Sequence, residues 1–154
     1  MPSILLMEDD DLFREALALA LREHGFTVRE ARDGDEGTRL FRVEPTDLVL
    51  TDIVMPKKEG LETVLELRRA HPKLGIIVMS GGTAHDAPLY LKMAASFGAN
   101  RVLKKPFSIN ALLTAVTEVL AASPRAGLLN QCTAPIAIQP PDLSQPLHGL
   151  HPDY

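Results

Sequence analysis

A parallel α/β sheet with helices on both faces is the fold class the sequence predicts. Three observations predict it. Short apolar runs alternate with amphipathic stretches of helical period, five times along the chain. A helix follows each strand through short connections, so successive strands lie parallel and are joined by right-handed crossovers. The runs are almost continuously apolar rather than alternating, as suits strands buried on both faces.

Ile4 to Met7 is the first run, and it ends in Glu8-Asp9-Asp10-Asp11. A helix is predicted from about Leu12 to His24, with Phe13, Ala16, Leu17, Ala20 and Leu21 on its apolar stripe. Asp11 is the expected N-cap and Gly25 the C-cap. Phe26 to Glu30 is half polar and reads as a strand near an edge; Asp35 to Val43 forms the second helix, stopped by Glu44-Pro45. The third strand is Leu48-Val49-Leu50, which stops at Asp52, with Pro56 preventing further pairing. A helix from about Leu61 to His71 buries Leu61, Val64, Leu65 and Leu67 and is ended by Pro72. Gly75 to Met79 is the fourth strand, ending at Ser80-Gly81-Gly82, and the helix after it runs from about Ala87 to Phe97 and closes at Gly98. Val102 and Leu103 begin the fifth strand, which ends at Lys104-Lys105-Pro106. Ser108 caps a last helix to about Ala122, with Leu112, Leu113, Val116, Val119 and Leu120 inward. Five such units predict a doubly wound (βα)5 sheet with the flavodoxin-like strand order 2-1-3-4-5.

The domain is expected over residues 1–122. Residues 123–154 carry six prolines and no helical period, which predicts a flexible tail; the alternative is a tail packed on the domain, with Ala134 to Ile138 docking there or on a partner. The formal net charge of −4 and pI near 5.7 argue against direct binding to nucleic acid. No apolar run approaches the ~20 residues that span a bilayer, so no membrane insertion is expected. The N-terminal stretch lacks the basic start and cleavage site of a signal peptide, and Cys132 is the single cysteine. Together these predict a cytoplasmic chain.

In open α/β sheets ligands bind at the carboxyl ends of the strands. There the first strand delivers Glu8 and Asp9, the third Asp52, the fourth Ser80 and the fifth Lys105. An aspartate beside a turn is commonplace, and Asp52 alone would carry no function. Three carboxylates on one cleft would repel one another unless a cation joined them. Hard oxygen donors suit Mg2+, which keeps waters and takes one or two carboxylates plus a phosphate. Lys105 would meet a phosphoryl group as a point charge, Ser80 would donate a hydrogen bond, and Asp52 would be the carboxylate nucleophile.

With these residues in place, the chain resembles the receiver domain of bacterial two-component response regulators, of the single-domain, chemotaxis-regulator-like kind. The resemblance covers about residues 3 to 122 and rests on four pieces in order: Ile4 to Asp10, Asp47 to Pro56 with Gly60, Ile77 to Gly81, and Gly98 to Phe107. It implies phosphorylation of Asp52 by a sensor histidine kinase or histidine phosphotransferase. It implies Mg2+ held by Glu8, Asp9, Asp52 and the backbone carbonyl of Val54, with Ser80 and Lys105 answering the phosphoryl group. It implies a cis Lys105–Pro106 bond. Catalysis would be confined to transfer onto Asp52 and its hydrolysis. Output would pass to a downstream protein target through the surface of the fourth helix, fifth strand and fifth helix, with phosphorylation-dependent homodimerisation as a further partner state.

The sequence departs from the family pattern at three places. Val102 stands where a rotating aromatic is usual, Gly81 replaces the usual Ala after Ser80, and the stretch from Ser80 to Gly98 is about three residues longer. Two other readings compete. A degenerate receiver would serve as a docking module without phosphorylation, an idea that Val102 keeps alive. An Asp-nucleophile phosphatase of the haloacid-dehalogenase type would need a second Asp where this chain has Val54, and a cap domain. Elsewhere plainer roles are expected: solvated turn for Lys57 and Lys58, outward Lys104, helix-end histidines at 24 and 71, core for Phe41 and Phe97, and no metal site at Cys132, His148 and His151.

Overall fold

In the computed structural model, which describes residues 1–55, 58, 60–81 and 87–122, strands and helices alternate from end to end. The order is β1 (Ser3–Met7), α1 (Asp11–Glu23), β2 (Thr27–Ala31), α2 (Gly34–Val43), β3 (Leu48–Asp52), α3 (Gly60–Ala70), β4 (Gly75–Ser80), α4 (Ala87–Ser96), β5 (Arg101–Lys104) and α5 (Ile109–Ala122). All pairings are parallel, and the sheet order is β2-β1-β3-β4-β5. This is the doubly wound, flavodoxin-like sheet that the repeating units predict. Residues 82–86 and 123–154 and the positions Pro56, Lys57 and Glu59 lie outside the described residues, and with them the expectations for the tail and for Cys132, His148 and His151.

Burial follows strand position. Every residue of β3 and β4 is buried, whereas the edge strand β2 mixes buried, half-buried and exposed positions and β5 has only half-buried and exposed ones. Because successive side chains point to opposite faces, the core divides in two. Ile4, Leu6, Leu48, Leu50, Ile77 and Met79 pack with Leu17 and Leu21 of α1 and Leu112, Val116 and Val119 of α5. Leu5, Met7, Val49, Ile76 and Val78 pack with Phe41 of α2, Leu61, Val64 and Leu67 of α3 and Ala94 of α4. Phe97 is half-buried against the second cluster rather than fully interior. Among the described residues, no helix is long and apolar enough to cross a membrane.

Local boundaries differ in four instructive places. Asp10, not Asp11, caps α1: its carboxylate accepts the Phe13 N–H at 3.1 Å, while Asp11 lies in the first turn and pairs with Arg14. The buried stripe is rotated accordingly, taking in Arg14, Leu17, Ala18 and Leu21 and leaving Ala16 exposed. Lys58 is no solvated turn residue, because its ammonium reaches Glu66 of α3 and Thr38 of α2. His24, not Gly25, is the C-cap of α1, with Gly25 following it at positive φ; Gly98 takes positive φ after α4 and the Ser108 hydroxyl accepts the Ala111 N–H at 3.1 Å, as predicted.

Candidate functional site

The carboxyl ends of β1, β3, β4 and β5 meet along one lip. In register, Met7 lies opposite Thr51, Asp52 opposite Met79, and Ser80 opposite Lys104. Glu8, Asp52, Ser80 and Lys105 therefore all sit within a residue of the same edge. The Lys105 Nζ donates to Glu8 Oε2 at 2.9 Å and to Asp52 Oδ2 at 3.0 Å. Carboxylate oxygens of Glu8, Asp9 and Asp52 lie within 4.8 Å of one another. Glu8 is 1% exposed, Asp52 7% and Ser80 2%, while Asp9 is open to solvent. The structure thus brings together the acidic trio and the lysine, with Ser80 closing β4 beside them. Val54 follows Asp52 by two residues, with its side chain exposed.

The backbone around these groups is held on several sides. The Glu8 N–H donates to Ala31 of β2 at 3.0 Å, and the Glu8 carbonyl accepts Arg14 Nη1 at 2.9 Å. Arg14 also reaches Asp11 and Glu30, so one buried guanidinium ties α1, the acidic loop and β2 together. The Gly60 N–H donates to Ile53 at 2.8 Å, and a Cβ on Gly60 would stand 1.8 Å from the Asp52 carbonyl oxygen. Only glycine permits this approach of α3 to the strand end. The Lys105 N–H donates to Ser80 at 2.7 Å, and the Lys105–Pro106 bond is cis.

Burial pushes the Glu8 carboxyl from 4.5 up to about 7; the Asp52 charge adds to the rise, and bonds from Lys105 and the Asp10 N–H oppose it. Burial pulls the Lys105 ammonium down, but its bonds to Glu8 and Asp52 outweigh that, and the net shift is upward. Lys105 is accordingly a fixed positive charge. The three carboxylates form a hard-oxygen donor set of the kind that holds Mg2+.

Arg14 was legible in the sequence by spacing alone, since Arg14, Leu17 and Leu21 stand at i, i+3 and i+7 on one helical face. Its charge argued for the opposite face. Val102, which stands where the family usually has an aromatic, is half-buried on β5 opposite Val78 and packs with the second core cluster.

The family model for the response regulator receiver domain matches residues 4–117. Among curated proteins, the chain is 37% identical over 120 residues to the sensor kinase CckA of Brucella abortus, covering 77% of this chain and 12% of that protein. It is 34% identical over 125 residues to the transcriptional regulatory protein AfsQ1 of Streptomyces coelicolor, covering 81% of this chain and 54% of that protein. The chain thus corresponds to only part of these longer relatives. Among solved structures, a response regulator receiver domain protein from Clostridium thermocellum superposes with a TM-score of 0.74 at 27% identity, covering 84% of this chain and 99% of that one. The chemotaxis protein CheY4 of Vibrio cholerae gives 0.71 at 26%, with 77% and 98% covered. Sheet order, acidic lip and family match agree, and the chain belongs to the response regulator receiver domain family.

Proposed function

We propose that the chain is a phosphorelay receiver in which Asp52 accepts a phosphoryl group from a histidine kinase or histidine phosphotransferase. The observation that carries this reading is the seating of one ammonium, Lys105, on two buried carboxylates that share a cluster with a third. In the transfer, the P–N bond of the phosphohistidine breaks, an Asp52 Oδ–P bond forms, and the imidazole leaves. A bound Mg2+ would supply charge neutralisation for the incoming group, held by Glu8, Asp9, Asp52 and the Val54 carbonyl. Lys105 balances charge on the phosphoryl oxygens as a point charge, and Ser80 donates a hydrogen bond to them. Phosphoryl transfer asks for positioning and electrostatics more than covalent chemistry, and that is what a rigid strand lip provides. The only turnover proposed is formation and hydrolysis of the chain's own acyl phosphate. Output runs through contact with a protein target at the face of α4, β5 and α5, by a shift between two arrangements of that face. The test is transfer of label from an autophosphorylated histidine kinase to the chain, with Asp52→Asn as control. Label on the wild type alone supports the reading, and equal label on both refutes it.

A further inference from the structure

The sequence places Phe13 on the apolar stripe of α1, as one more core residue. The structure gives it a second contact. The Lys105 Nζ stands 4.5 Å from the centroid of the Phe13 ring, on its face. The same ring meets Phe107 edge-on at 6.0 Å, with the planes at 64°. Phe13 is half-buried, and its own N–H is tied to the Asp10 cap, so the ring belongs to a fixed first turn. Gly81 also leaves room for the lysine stem: a Cβ there would stand 3.2 Å from Lys105 Cδ. The ammonium thus rests on two carboxylates and one aromatic face. A ring face attracts a cation more strongly where water is partly excluded, as it is here.

We propose that Phe13 is a positioning residue for Lys105: its ring seats the ammonium over the acidic cluster and keeps it there rather than in solvent. The proposal rests on the reading of Lys105 as the cation that answers the phosphoryl group. The seat has a consequence for metal binding. Lys105 occupies Glu8 Oε2 and Asp52 Oδ2, oxygens that a divalent cation would also use. A firmly seated lysine competes with the metal, and a loosened one competes less. Phe107, braced against Phe13, extends the seat to the segment just past Pro106 and ties the start of α1 to the end of β5.

The test uses the full chain and three variants: Phe13→Leu, which keeps bulk without a π face, Phe13→Tyr, which keeps the face, and Lys105→Met. By NMR, the Lys105 Cε protons should resonate upfield in the wild type and in Phe13→Tyr, from the ring current, and return to ordinary positions in Phe13→Leu. By magnesium titration, Phe13→Leu should bind about two- to fivefold tighter than wild type, and that gain should vanish when Lys105→Met is already present. Lys105 resonances indifferent to Phe13→Leu, or the same gain with and without Lys105, would overturn the seat. The resonance arm needs no metal. Should the wild type fail to bind magnesium, the reading of the acidic cluster falls, while the position of Lys105 over Phe13 is still decided.

Discussion

The Lys105 ammonium lies 3.0 Å from Asp52 Oδ2 across 53 positions of sequence, and 2.9 Å from Glu8 Oε2 across 97. Two buried acids and one base from three strand ends therefore share a single arrangement of charge. Removing the base should unbalance it. Lys105→Ala is expected to bind magnesium several-fold tighter, because a competing cation is gone. It should still accept a phosphoryl group on Asp52 yet bind its partner no better when phosphorylated than before. Calorimetric titration and a partner-binding assay check the two halves.

Glu8 gives the site a pH dependence whose sign can be worked out. Its carboxyl is raised from 4.5 to about 7 in the folded chain. Between those values the folded chain keeps a proton that the unfolded chain has lost, so stability falls as pH rises through this window and stays lower above it. Magnesium binds the ionised form, so its affinity should climb with pH, by up to about tenfold per unit below pH 7, and level off above it. Titrations at pH 6 and pH 8 measure this. Glu8→Gln should flatten both dependences.

The approach of α3 to the strand end sets a third expectation. Gly60→Ala would place a methyl group against the Asp52 carbonyl oxygen. The helix start must then shift, at a cost of about 1–3 kcal/mol or more. Urea unfolding should show the loss, and magnesium affinity should fall with it, because the moved segment leads directly out of Asp52.

Arg14→Met keeps the apolar stem and deletes the donor that satisfies the Glu8 carbonyl. A buried acceptor left without its partner costs about 1–3 kcal/mol. The variant should unfold at lower urea and bind magnesium more weakly, since the acidic loop loses its tie to α1. Undiminished magnesium affinity would separate Arg14 from the site.

Much of this was legible in the chain. Apolar runs that end abruptly on Glu8, Asp52, Ser80 and Lys105 announce strand lips, and a parallel sheet puts every such lip on one edge. Periodicity does not give strand order; the flavodoxin-like order favoured for five such units is the one the sheet has. What escaped was decided by contacts distant in sequence or by backbone angles. Asp10 and Asp11 both have capping chemistry, and only the extended backbone of Asp10, with φ −73° and ψ 108°, chooses between them. Lys58 looked solvated because Glu66 and Thr38, its partners, lie on two different helices. Phe13 was correctly placed on the inward stripe, but nothing local to it reveals that Lys105 ends over its ring.

The phosphoacceptor assignment is tested most directly by intact mass after incubation with acetyl phosphate and magnesium, alongside Asp52→Asn and a chelator control. The wild type with magnesium should gain one phosphoryl group, and the variant and the chelated sample none. An unchanged wild-type mass, or an equal gain in Asp52→Asn, would contradict a phosphorelay role for this site.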